Sequence, residues 1–212
     1  MSVGAGIAGP QAPSLLGQTV ELDVGQVAHG GFCVARLAGR AVFVRHTLPG
    51  ERVRALVTEE RARYLRADAV EILTASPDRV QPPCPYAGPA RCGGCDWQHA
   101  SLAAQRRLKA AVVAEQLQRL AGLDRPVTVE EVAGTPDGLG WRTRVAFAVR
   151  RDGAVGLHRH RSGEIEPVER CLIAHPGVEA AGVEGRAWPD SVAVDVAASA
   201  GSGRRTVLVT PR

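Results

Sequence analysis

Lysine is almost absent from this 212-residue chain: Lys109 is the only one, so arginine carries the basic side. Aromatic residues make up only 4%. No run approaches the roughly 20 uncharged apolar residues that a membrane helix needs. Met1 to Pro13 has neither a basic start nor an apolar core, which argues against a secretory signal. These absences lead to the expectation of a soluble, cytoplasmic protein with no membrane partner. The absence of a secretory signal also argues against a disulfide framework. Five cysteines, an odd number without a secretion signal, point to metal or redox chemistry in a reducing compartment.

What is present is globular: 45% hydrophobic and 23% charged residues, enough for one large domain or two small ones. The net charge of +4 favours an anionic partner. It is unevenly spread. Residues 14–75 hold 8 Arg against 7 acids, whereas residues 141–161 hold six Arg and only Asp152 as an acid.

Residues 1–13 read as a disordered tail. Gly4, Gly6 and Gly9 match a dinucleotide-binding spacing formally, but the strand before it and the helix after it are missing. From Thr19 to Leu73 the pattern is β. Val20, Leu22 and Val24 alternate with polar residues, and Gly30-Gly31, Gly39-Arg40 and Pro49-Gly50 separate further short strands, as in a small closed barrel. Ser76-Pro77 to Pro82-Pro83 marks a boundary. A helix follows, with Ser101 as N-cap and Gly122 as terminator; Leu102, Leu108, Val112, Leu117 and Leu120 form its apolar stripe. Around residues 141–160 the alternation predicts a hairpin. A three-residue loop, Arg151-Asp152-Gly153, sets Val149 opposite Val155 and puts Gly153 at a left-handed position. Its other face would carry Arg142, Arg144, Arg150, His158 and His160. Ser191–Ala197 and Arg204–Thr210 predict a last hairpin. The overall class is mainly β with one or two helices (α+β).

Cys84, Cys92, Gly93, Gly94 and Cys95 carry the strongest chemical signal. Two thiolates two residues apart can face one metal, and the glycines let the backbone wrap and offer N–H groups to sulfur. Cys84 supplies a third ligand and Cys171 a fourth. Spacing alone leaves zinc and an iron–sulfur cluster open, with a slight preference for zinc. Cys33 sits in a predicted strand and reads as a buried apolar residue; His158 and His160 read as polar-face residues rather than metal ligands.

Gln26–Arg36, Ala41–Val44 and Leu48–Glu51 resemble a TRAM domain, a small OB-like RNA-binding barrel. Ser76–Val80, Cys84–Tyr86, Cys92–His99, Trp141–Phe147 and Cys171–Pro176 resemble the central domain of the RNA (uracil-5-)methyltransferases. The resemblance implies a TRAM barrel over 14–75 and an incomplete iron–sulfur central domain over 76–212. It also implies a [4Fe-4S] cluster on Cys84, Cys92, Cys95 and Cys171, overturning the preference for zinc. The family spaces its first two ligands more tightly, so Pro85–Arg91 is a longer loop. RNA, either 23S rRNA or tRNA, would be the partner of a monomer. The expected contacts are Arg142, Arg144, Arg150, His158, Arg159, His160, Arg161 and Arg36.

Family members continue into a doubly wound domain that binds S-adenosylmethionine and carries the nucleophilic cysteine and the carboxylate base. No strand–glycine-loop–helix unit follows residue 122, so that Rossmann-type domain is expected to be absent. No residue is assigned a catalytic role, and no S-adenosylmethionine site is expected. The contrasting reading is a non-catalytic RNA-binding module with a structural four-cysteine zinc or iron–sulfur site.

Overall fold

The computed structural model describes residues 13–212; the Gly4–Gly9 match and the rest of the 1–12 tail lie outside the described residues. The first sheet is built from β1 (Thr19–Asp23), β2 (Val27–Ala28), β3 (Phe32–Leu37), β4 (Arg40–Arg45), β5 (Arg52–Glu60) and β6 (Tyr64–Thr74). Its order is β1-β5-β6-β4-β3-β2, with β4 and β6 parallel and the other pairs antiparallel. Just past β1, the Gly25 amide donates to Val34 O and the Val34 amide to Gln26 O, both at 2.8 Å. That joins the first strand to β3 and closes the barrel.

The alternation explains the core. Leu22, Cys33, Ala35, Val42, Val44, Val53, Ala55, Val57, Leu65 and Ala67 point inward and are buried. A buried Val or Leu contributes roughly 1.5–3 kcal/mol over leaving it in water. Cys33 is among them, its thiol donating to Thr47 O and pushed up to about 11 by burial, as an inert thiol should be.

Helix α1 (Leu102–Ala121) starts at Ser101, whose hydroxyl accepts from the Ala104 amide, and ends at Gly122 with φ +64°. The predicted apolar stripe is not buried, however. Ala104 is the one buried residue of the helix, and Leu120 is 78% exposed. Only the first turns pack, against Leu48 and Ala100.

The second sheet comprises β7 (Arg144–Val149), β8 (Val155–His158), β9 (Ile165–Pro167), β10 (Ser191–Ala198) and β11 (Arg205–Pro211), in the order β11-β10-β7-β8-β9 and antiparallel throughout. A short helix, α2 (Pro176–Glu179), follows His175. Val149 pairs with Val155 and Gly153 has φ +83°, the predicted register and loop. Val145, Phe147 and Val149 fill a core with Val194, Val196, Val178 and Val183.

One expectation is corrected here. The hairpin strand begins at Arg144 rather than Trp141, because residues 140–142 bond elsewhere: Gly140 donates to Leu172 O and Arg142 to Ile173 O. Strand alternation therefore does not extend to Arg142. The segment after the first sheet, Ser76–Pro83, is fastened to the barrel. The Glu51 carboxylate, fully buried, accepts from Arg79 Nη2 at 2.7 Å, from Arg79 Nε, and from the Leu48 and Ser76 amides. Burial raises its pKa, but Arg79 and the two amides outweigh burial and hold it below the usual carboxylate value.

Candidate cysteine centre and nucleic-acid interface

The loop bearing Cys84, Cys92 and Cys95 has no regular structure and is held from several sides. The Cys84 amide donates to the Gln98 side chain, the Cys92 amide to Tyr86 O, and the Gly93 amide to His158 O. Tyr86 Oη in turn accepts from the Glu169 amide. The barrel grips the far end: Arg45 reaches Asp96 at 2.8 Å and Trp97 Nε1 donates to Gly31 O. Gly93 is required by close approach, since a Cβ there would lie 2.8 Å from the His160 backbone.

Cys171 sits in the core of the second sheet, with Cys95 packed against the same cluster. The segment just past it is drawn in by the Gly140 and Arg142 amides and by the His175 amide bonding back to Arg142 O at 2.9 Å. Arg142 then reaches toward the Cys-Gly-Gly-Cys turn; its guanidinium lies 3.5 Å from Gly94 O. All five cysteines are free. Burial raises the thiol pKa of Cys92, Cys95 (to about 11) and Cys171. Cys84 adds to the rise at Cys92, Cys92 and Cys171 add to it at Cys95, and Cys92 adds to it at Cys171, so the four are electrostatic neighbours. The Gly94 amide donates to Cys92 Sγ at 3.4 Å, and the Ile173 and Ala174 amides favour the Cys171 thiolate. The sulfurs do not close to ligand spacing: among the described residues, no three His, Cys, Asp or Glu side chains are placed to hold a metal ion. The donor set itself is soft and suits zinc or iron: sulfurs, backbone N–H groups aimed at sulfur and one arginine to offset thiolate charge.

The eight expected RNA contacts are dispersed. Arg142 turns to the cysteines and stacks on Trp141, 5.4 Å from the ring centroid. Arg144 is 78% exposed and 3.9 Å from Asp195. Arg150 pairs with Asp152, and His158 is exposed. Arg159 is spent on Glu164 and Glu166 at 2.6 and 2.9 Å. His160 packs edge-on against Phe32 of the barrel, and Arg161 lies 3.7 Å from Glu59. Arg36 is exposed on β3. The sheet thus presents Arg144, Arg150 and His158, whereas His160 and Arg161 belong to the joint with the barrel.

Sequence reasoning did not anticipate a groove of about 1210 Å³ beside the cysteines. Trp97, Trp141, Arg142, Arg106 and Lys109 line it, together with Gly30 and Gly31 of the turn between β2 and β3. Trp141 is 47% exposed, and Lys109 makes no ion pair among the described residues. The available signal was that two of the chain's three tryptophans flank cysteine or arginine motifs.

A family model for the TRAM domain matches residues 13–70. An uncharacterized RNA methyltransferase of Streptomyces coelicolor is 58% identical over 94% of this chain and 46% of its own length. A 23S rRNA (uracil(1939)-C(5))-methyltransferase of Chromohalobacter salexigens is 40% identical over 73% of this chain and 32% of its own. The chain spans about half the length of the Streptomyces relative. The solved tRNA (uracil-54, C5)-methyltransferase of Pyrococcus abyssi, in complex with S-adenosyl-L-homocysteine, superposes with a TM-score of 0.55 at 19% identity, over 90% of this chain and 46% of that one. At that identity the likeness speaks for the fold. The fold is therefore a TRAM barrel followed by a second antiparallel sheet. Over the part of their length that it spans, the chain is homologous to RNA methyltransferases, and residues 13–70 match a TRAM domain.

Proposed function

We propose that this chain is the RNA-recognition portion of an S-adenosylmethionine-dependent RNA (uracil-C5-)methyltransferase acting on rRNA or tRNA. Cys84, Cys92, Cys95 and Cys171 hold its [4Fe-4S] centre, and residues 76–212 form the cluster-bearing domain. The observation carrying this reading is that Arg142 joins the segment after Cys171 to the Cys-Gly-Gly-Cys turn, at the wall of a groove lined by two tryptophans. Bound there, the cluster supplies a covalent cross-link and no reacting atom. The residues do the rest: Arg142, Lys109 and Arg106 offer phosphate contacts, Trp97 and Trp141 offer ring faces to unpaired bases, and the barrel holds the Trp97 ring through Gly31 O.

Anaerobic purification with iron, sulfide and zinc assays tests the centre. About four irons and four sulfides per chain support it; zinc with no sulfide replaces the cluster by a four-cysteine zinc site, and no metal at all removes the centre. Cys95→Ser should lower metal content with Cys171→Ser, since both belong to one donor set. The chain by itself is expected to transfer no methyl group. Both described sheets are antiparallel apart from the β4–β6 pair inside the barrel, so no parallel nucleotide-binding sheet lies among the described residues. Turnover of S-adenosylmethionine by purified 1–212 would contradict this.

A further inference from the structure

We propose that the cysteine centre gates the groove beside it. The tie between Cys95 and Cys171 sets the spacing of the Trp97 and Trp141 rings, so single-stranded RNA and bound metal hold each other in place. The proposal rests on the metal-centre and RNA-binding readings above and adds a regulation of that site to them.

The two rings are anchored differently. Trp97 follows Cys95 by two residues and is fixed to the barrel. Its Nε1 donates to Gly31 O at 3.2 Å, and its neighbour Asp96 meets Arg45 at 2.8 Å. Trp141 is tied instead to the segment that follows Cys171. It lies between Gly140 and Arg142, whose amides donate to Leu172 O at 3.0 Å and to Ile173 O at 2.7 Å. The His175 amide closes this short ladder on Arg142 O at 2.9 Å. One ring is thus two residues along the chain from a proposed ligand. The other is joined, through its neighbour's amide, to the residue directly after a proposed ligand.

The direct link between these anchors at the groove is slight. Arg142 Nη2 lies 3.5 Å from Gly94 O, the outer limit of a hydrogen bond, while its guanidinium stacks on Trp141. The firmer bond from the Gly93 amide to His158 O fixes the turn to β8, and neither residue lines the groove. Gly94, Cys95, Trp97, Trp141, Arg142 and Ile173 do line it, so the donor loop and the segment after Cys171 are the groove wall itself. Trp141 is exposed and Trp97 half-buried, which leaves ring surface for bases. Stacking is short-ranged: a gap of roughly 0.5–1 Å forfeits a quarter to a half of each dispersion contact. A centre held by sulfurs from both anchors therefore controls how well RNA stacks. Linkage requires the converse, that RNA lying across both rings resists the opening through which metal leaves.

The test takes the full chain, purified anaerobically with its metal, and a fluorescein-labelled oligouridylate 12-mer read by anisotropy before and after chelation. The loaded chain should bind about tenfold more tightly than the stripped chain, the effect of one stacked base. The salt dependence should stay the same, because Arg106 and Lys109 remain on α1. Equal affinities overturn the gating and leave the RNA reading standing. A loaded chain that binds no RNA, or a chain that carries no metal, overturns the reading beneath it as well. The converse arm needs no stripped protein. Saturating oligonucleotide should slow chelator-driven metal loss from the loaded chain about tenfold, by the same linkage. An unchanged rate in a chain that binds RNA overturns the gating, even where the stripped chain has lost binding by unfolding. Trp141→Leu removes one ring and no ligand. It should bind the oligonucleotide weakly whether loaded or stripped, and the oligonucleotide should no longer slow its metal loss. Undiminished protection of the metal in that variant would overturn the role of the two rings.

Discussion

The two sheets of this protein are stabilised in different ways. The barrel is a closed ladder around an aliphatic core, and its strands need nothing outside themselves. The second sheet is open. Its last strand, β11, is exposed along its whole length, and residues 76–101 and 168–175 are irregular loops held by single hydrogen bonds and ion pairs. A patterned core specifies a fold through many small and redundant contributions. Loops of this kind depend on a few strong ones, so they should fail separately from the barrel.

Metal removal gives the largest expected separation. If the proposed centre on Cys84, Cys92, Cys95 and Cys171 is present, chelation removes several kcal/mol of binding free energy that stabilises only the loops. Hydrogen exchange should then lose protection across 84–101 and 168–176 while β3 to β6 keep theirs. Equal loss in both regions would show that the barrel is not independent.

Next comes the joint between the regions. Glu51→Ala leaves the Arg79 guanidinium half-buried without its carboxylate and two amides without an acceptor. Breaking a buried pair in this way costs about 3–5 kcal/mol, measurable by urea unfolding. Glu51→Gln, which keeps the acceptor, should cost less.

The same joint should be acid-sensitive. His46, with φ +62° and its Nε2 buried without a partner, is pushed down to about 3 by burial, by Arg45 and by His99 and His160. His99 and His160 are also lowered, chiefly by burial. A histidine with a depressed folded pKa binds its proton more readily when unfolded. Stability is therefore fully present above the ordinary histidine value near 6.5 and falls as pH drops from there toward about 3. Between pH 6.5 and 4, His46 alone accounts for about 3 kcal/mol. His46→Asn, which tolerates the left-handed backbone, should flatten this part of the stability-versus-pH curve. An unchanged curve would remove His46 as its source.

How much of this was legible in the sequence follows the same division. The barrel strands could be read because alternation reports burial directly, and Val149–Val155 could be registered because only one loop length matched apolar faces. Ser101 and Gly122 announced the helix ends by local chemistry alone. The joint could not be read. Glu51 and Arg79 are 28 residues apart and Arg45 and Asp96 are 51 apart, and no periodicity links an acid to a base at such distances. Arg142 was misplaced for a related reason: its backbone bonds to the segment after Cys171, which ends the alternation two residues before Arg144. The cysteine motif was legible as a candidate donor set, and the fold makes its four members electrostatic neighbours, but their geometry was not legible.

The smallest effect sharpens the contrast most. Gly153 closes the β7–β8 loop with φ +83°, and a Cβ there would lie 3.3 Å from Trp188 N and 3.4 Å from Pro189 N. Gly153→Ala therefore combines a left-handed strain of about 1 kcal/mol with a tight backbone contact, for a total of roughly 1–2 kcal/mol. In the barrel, Gly50 has the same left-handed φ, +83°, with open space around its missing side chain, so Gly50→Ala carries the strain alone. The two substitutions share a backbone conformation and differ only in packing. Their difference in urea midpoint measures what the second sheet's tight turn adds, and equal costs would mean that the Gly153 loop relaxes away from Trp188.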